Sequence, residues 1–95
     1  FKCVTLDRVS LVGAMITNVD ISGAVFEESN LSGAKFTGSS LKCAEFIGGQ
    51  LDGTDFGDSK MENATFVNVD LSTAKFTKQQ LEQWKFVNTT LPNGT

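Results

Sequence analysis

Large apolar residues occupy every fifth position of this chain: Phe1, Leu6, Leu11, Ile16, Ile21, Phe26, Leu31, Phe36, Leu41, Phe46, Leu51, Phe56, Met61, Phe66, Leu71, Phe76, Leu81, Phe86 and Leu91. No other phase of five is apolar throughout. An α-helix turns once in ~3.6 residues and would rotate such a stripe around its axis. A strand shows alternate residues on one face, and five is not a multiple of two. The period fits a chain that bends at a corner every five residues and sends one large side chain inward from each side.

A second series lies two residues before the first and is mostly small: Ala14, Ala24, Ser29, Ala34, Ser39, Ala44, Gly49, Thr54, Ser59, Ala64 and Ala74, with Val4, Val9, Val19 and Val69 among them. A spacing of two is what a short extended segment needs to point both residues the same way. A bulky ring beside a small neighbour keeps the cross-section even, as close packing demands. The remaining slots are mostly polar or glycine.

Read as units of five, the chain contains Ser29-Asn30-Leu31-Ser32-Gly33, Ala34-Lys35-Phe36-Thr37-Gly38 and Ala64-Thr65-Phe66-Val67-Asn68. This resembles the pentapeptide repeat family, whose unit is a small residue, Asp or Asn, Leu or Phe, and two variable residues. Lys35, Lys60, Lys75 and Lys85 depart from the Asp/Asn slot. The resemblance covers essentially the whole chain. It implies an all-β fold, a right-handed quadrilateral β-helix with four sides per turn, here of four to five coils. Residues one turn apart then stack at about the 4.8 Å strand spacing.

The core expected from that register is Phe26, Phe46, Phe66 and Phe86 in one column, Phe36, Phe56 and Phe76 in a second, Leu31, Leu51 and Leu71 in a third and Leu41 in the fourth. Each turn needs neighbours to satisfy its backbone, so both ends must be covered. Thr77-Lys78-Gln79-Gln80 fits a capping box, and Leu81 and Trp84 follow at helical spacing. The reading is a β-helix over 1–76 and a capping segment over 77–95 of the same domain. A short helix from Thr77 to about Trp84 closes the rod, with Leu81 and Trp84 folded over the last turn because Trp84 is too large for its small-residue slot. Leu91-Pro92-Asn93-Gly94 reads as a terminating turn. No comparable cap precedes Phe1, which predicts further coils or another domain on the N-terminal side.

Chemistry has little to work with here. The chain has no histidine, so a Ser-His-Asp arrangement is excluded and no catalytic residue is assigned. Its 8 basic and 11 acidic residues leave a net charge of −3, too little for a basic nucleic-acid patch or an acidic tail. No apolar run reaches the roughly 20 residues of a membrane span. Cys3 and Cys43 share a column two turns apart, about 10 Å, beyond the roughly 7 Å limit of a disulfide. They are expected as free outward thiols, which suits a reducing, cytoplasmic compartment. The thylakoid lumen and secretion stay open. Two distant thiols make a poor metal site.

Gly48-Gly49-Gln50-Leu51-Asp52-Gly53-Thr54-Asp55 resembles a calcium-binding glycine-aspartate repeat, but Leu51 and Gly53 break it and it occurs once. Asp52, Asp55 and Asp58 read as solvated corner residues, so neither cofactor nor metal is expected. The triplets beginning at Asn30, Asn63, Asn88 and Asn93 match a glycosylation pattern that a chain so rich in Asn, Ser and Thr produces by composition.

One outward feature stands out. The slot after the Phe26 column holds Asp7 and Glu27, then Ile47, Val67 and Val87, with Val25 nearby. A contiguous apolar stripe on a rod marks an interface, although β-branched residues also suit any strand surface. The function expected is a non-catalytic structural and protein-interaction module. It would be a rigid rod presenting a surface to a protein partner, with no nucleic-acid or membrane partner. A homodimer through the stripe or the cap is the variant of that reading, and a spacer the purely structural one. The alternative implied by the family resemblance is a DNA mimic that binds type II topoisomerases and counters quinolones. Mimicry needs dense negative charge on a long rod, whereas Lys35, Lys75 and Lys78 lie here beside Asp55 and Asp58.

Overall fold

A computed structural model describes residues 3–92. Phe1, the Asn93 triplet and the end of the expected terminal turn lie outside the described residues. The chain winds into a parallel β-solenoid of about four turns, with extents of 33 × 24 × 21 Å. One side of the coil is a five-stranded sheet in the order β1 (Thr5–Asp7), β3 (Val25–Glu27), β5 (Glu45–Ile47), β7 (Thr65–Val67) and β8 (Lys85–Val87). The opposite side is a three-stranded sheet of β2 (Met15–Thr17), β4 (Lys35–Ser40) and β6 (Asp55–Lys60). Single bridges such as Ser10↔Asn30↔Gln50 join the coils between these sheets.

The register is twenty. Leu6 pairs with Phe26, Phe26 with Phe46, Phe46 with Phe66 and Phe66 with Phe86. The corners explain why five residues suffice per side. At one kind, the amide of the small residue closes a turn onto the large residue three back, as Ala34 does onto Leu31 at 3.0 Å. Its third residue has positive φ, as Gly33 does at 72°, which the type II turn requires. At the other kind a single left-handed residue bends the chain, as at Asn18, Asn68 and Asn88. Asparagine tolerates that conformation better than other side-chain-bearing residues.

The interior is a column of rings and aliphatic chains. Phe36, Phe56, Phe66, Leu41, Leu71 and the alanines 24, 34, 44 and 64 are fully buried, and Phe26, Phe46, Leu31 and Leu51 nearly so. Phe26, Phe46 and Phe66 stack face to face at 4.8 and 4.9 Å, and Phe36 lies over Phe56 at 5.5 Å. The small slots also carry chemistry. Ser29 Oγ accepts from the Val9 amide and donates to the Leu6 carbonyl, and Ser39 does the same for Val19 and Ile16. These hydroxyls stitch adjacent coils while satisfying their own buried atoms.

The regularity breaks near the C-terminal end. Between β4 and β6 the register slips at Gly57, with Thr37 opposite Asp58 rather than Gly57. Helix α1 (Lys78–Gln83) then replaces the strand that would cover β6. Both halves of the Thr77–Gln80 capping box form, Gln80 N donating to Thr77 Oγ1 at 3.1 Å and Thr77 N to Gln80 Oε1 at 2.9 Å. After the helix the chain rejoins the coil. β8 pairs in register with β7, and the amide of Leu71 donates to the Thr90 carbonyl. The segment after residue 77 therefore holds both a helix and two resumed sides of solenoid. Trp84 does not lie over the last turn but enters the coil, 6% exposed, its ring 4.6 Å from that of Phe66 and 5.8 Å from that of Phe56. Its large ring fits because α1 carries the chain outward on that side. Phe76, Leu81 and Phe86 are only half-buried around it.

Candidate interaction face

The inward Phe46, Phe66 and Phe86 fix what their neighbours do, because successive residues of a strand point to opposite faces. Ile47, Val67 and Val87 stack outward on consecutive rungs of the five-stranded sheet. Ile47 and Val67 are half-buried by their neighbours, while Val87 is 53% exposed. Glu27 stands directly beneath Ile47, and Asp7 beneath Glu27. Val25 belongs to the adjacent outward column, below Glu45, Thr65 and Lys85, and is half-buried. It therefore borders the stripe diagonally rather than extending it. On the other flank lie the corner residues Asn68 and Asn88, both exposed. The face is a narrow apolar ladder with a polar frame.

The opposite sheet has a different character. Lys35, Asp55 and Lys75 stack in one outward column of alternating charge. Asp55 Oδ1 accepts from the Gly57 amide at 2.9 Å. Asp58 and Asp52 are exposed. Among the described residues no three His, Cys, Asp or Glu side chains gather where they could hold a metal ion. An ion pair, Lys42–Glu62 at 3.8 Å, joins consecutive rungs at a corner.

Cys3 and Cys43 are free and exposed at equivalent corners, with Gly23 between them in the column. Asn30 Oδ1 accepts from the Ser32 amide in a local turn, and Asn63 is an exposed corner residue. No helix among the described residues is long and apolar enough to cross a membrane.

Two features of this surface escaped the periodicity. Met15 and Val12, 77% and 58% exposed, sit at the N-terminal end of the coil rather than on the stripe. Gln80, expected only as a helix cap, is buried and donates through Nε2 to the carbonyls of Phe56 and Ser59 at 2.6 and 3.0 Å. It thus serves the edge of β6 that α1 leaves without a strand. Its slot holds polar residues of any size in the other coils, Asp20, Ser40 and Lys60 among them, so the period gives no signal that discloses it.

The family model for pentapeptide repeats matches 8 copies of its unit over residues 4–33, 20–58 and 39–77. Among solved structures, the pentapeptide repeat protein Rfr23 from the cyanobacterium Cyanothece 51142 aligns at 16% identity. That alignment covers 99% of this chain and 84% of Rfr23, with a TM-score of 0.32. No curated protein matches the chain. With the repeat model spanning most of the sequence and the coil showing its register, this chain belongs to the pentapeptide repeat family.

Proposed function

We propose that the chain is a non-catalytic structural and interaction module, a stiff rod whose five-stranded sheet presents an apolar ladder to a protein partner. The observation that supports this reading is the outward stacking of Ile47, Val67 and Val87 on adjacent rungs, framed by Glu45, Lys85 and the corner asparagines. β-branched residues suit a strand surface of any kind, but three stacked on adjacent rungs also make a contiguous apolar face of the sort that marks a contact. The topoisomerase reading finds less support, because a phosphate-like surface needs unbroken negative charge and the Lys35–Asp55–Lys75 column alternates in sign.

Val67→Lys tests the reading. It places a charge at the centre of the ladder without touching the interior. The expected result is weaker partner capture or weaker self-association in sedimentation, with an unchanged circular dichroism spectrum. Unchanged sedimentation together with unchanged capture removes the stripe as a contact. A supercoiling assay with gyrase checks the alternative.

A further inference from the structure

Three carboxylates surround the lowest rung of the apolar ladder, and we infer that the partner it receives is an amphipathic helix whose apolar face ends in arginine or lysine. This inference rests on the ladder being a contact face and adds what occupies it.

The charges come from the second and third coils. Glu27 stands directly beneath Ile47 in the outward column. Glu45 precedes Ile47 by two residues in β5 and so projects from the same face. Glu28, at the corner, lays its carboxylate over Gly48, where a Cβ would collide with it. A carboxylate thus lies below Ile47 and on either side of it. All three glutamates are exposed. None is paired with a basic side chain among the described residues, whose ion pairs are Asp7–Arg8 and Lys42–Glu62. The two rungs above are different. Val67 stands between Thr65 and Asn68, and Val87 between Lys85 and Asn88, with no acid beside either. The face is apolar at one end and acidic at the other.

Such a face suits a side chain that is apolar along its stem and cationic at its tip. The stem of an arginine or lysine lying across Ile47 covers the isoleucine while its head reaches the carboxylates around it. A guanidinium has donors enough for two of them. Spacing selects a helix. The rungs of this sheet repeat at 4.8 and 4.9 Å, the distances between the stacked rings of Phe26, Phe46 and Phe66. Helix residues i, i+4, i+7 and i+11 share a face and lie about 0, 6, 10.5 and 16.5 Å along its axis, close to four successive rungs. Alternate residues of an extended segment advance about 6.6 Å and lose step with the ladder by the second rung. A second copy of this chain matches the charge poorly. It brings Lys85 on this face to three carboxylates, its Arg8 being already paired with Asp7.

The experiment is fluorescence anisotropy of labelled, end-blocked, alanine-based helical peptides titrated with the chain. One peptide carries Leu at i and i+4 and Arg at i+7 and i+11, and its control carries Gln in place of both Arg. The Arg peptide is expected to bind at least about tenfold more tightly than the Gln peptide at low salt, and to lose that advantage as salt rises. Glu27→Gln with Glu45→Gln should remove the advantage and leave the Gln peptide unchanged, because both side chains are exposed and the ladder stays intact. Val67→Ser with Val87→Ser should weaken both peptides, which checks the ladder itself. Equal binding of the two peptides, lost in the serine variant, keeps the ladder as a contact face and overturns this inference. An Arg peptide indifferent to the serine variant is held by charge alone, which overturns the inference and counts against the ladder as well. Binding of neither peptide up to about 1 mM also overturns it. In that event a dimer that Val67→Lys disrupts in sedimentation would make a second copy the occupant.

Discussion

The first and the later coils of this rod are built from the same repeat but are not equally finished. Leu6, Leu11 and Ile16 are half-buried at the N-terminal end, whereas Leu51, Phe56, Met61, Phe66 and Leu71 are almost wholly enclosed. The sequence slots are equivalent, so the difference comes from what lies beyond them. Toward the C-terminal end, α1 covers β6, Trp84 enters the interior and Gln80 supplies donors to two carbonyls of the coil below. Toward the other end, the described residues offer no comparable element over Leu6, Leu11 and Ile16. A repeat unit acquires its core only through its neighbours.

The largest expected consequence separates two substitutions in the same column. Phe66→Ala should cost about 3–5 kcal/mol in denaturant melts. Leu6→Ala, half-exposed already, should cost only about 1 kcal/mol. Equal losses would mean that the open end is as well packed as the interior, and a loss below about 1 kcal/mol at Phe66 would break the register itself. Next in size is Gln80→Leu, which keeps the bulk but abandons the carbonyls of Phe56 and Ser59. A destabilisation of about 2–3 kcal/mol is expected in the same melts. A neutral result would show that α1 closes the coil by shape alone.

A smaller change has the opposite sign. Cys43 holds φ at 60° in a corner where Gly23, at 74°, stands one coil earlier. Left-handed backbone costs a side-chain-bearing residue about 1–2 kcal/mol, and glycine forfeits part of that gain in the unfolded chain. Cys43→Gly should therefore stabilise by about 0.5–1 kcal/mol, read as a raised melting temperature. The smallest effect is a pH dependence. The Ser72 hydroxyl, with help from its amide, holds the Asp70 carboxyl below its usual value. A lowered carboxyl stabilises the fold above its unfolded value, about pH 4, and that contribution is lost as pH falls further. Asp70→Asn should leave the melting temperature slightly less sensitive to acid and flat above about pH 5.

These contrasts also mark how far residues alone carry. The fivefold series placed Phe46 over Phe66, because an unbroken period leaves one way to bring every large residue inward. Thr77 and Gln80 likewise announced a helix start, since a capping box is a local motif with local bonds. Trp84 was harder. Its slot is small elsewhere, and the room it fills exists only because α1 has left the coil, which is a tertiary fact. The register slip at Gly57 is hidden for the same reason, as no spacing of large residues changes there. The exposed Met15 and Val12 stand in slots that the fivefold series of inward residues does not govern, Met15 facing outward from β2 in the column of Lys35. Of the candidate face, the rungs Ile47, Val67 and Val87 followed from alternation within a strand. The diagonal placement of Val25 required the observed pairing with Glu45.

Everything rests on side chains one turn apart lying against each other, and nuclear Overhauser contacts between selectively labelled phenylalanine rings test this most directly. The ring centroids of Phe46 and Phe66 lie 4.9 Å apart, and those of Phe26 and Phe46 4.8 Å. Strong cross-peaks linking Phe26 to Phe46 and Phe46 to Phe66 are predicted, with none between Phe26 and Phe66. Absence of the first two, in a folded sample, would contradict the coil.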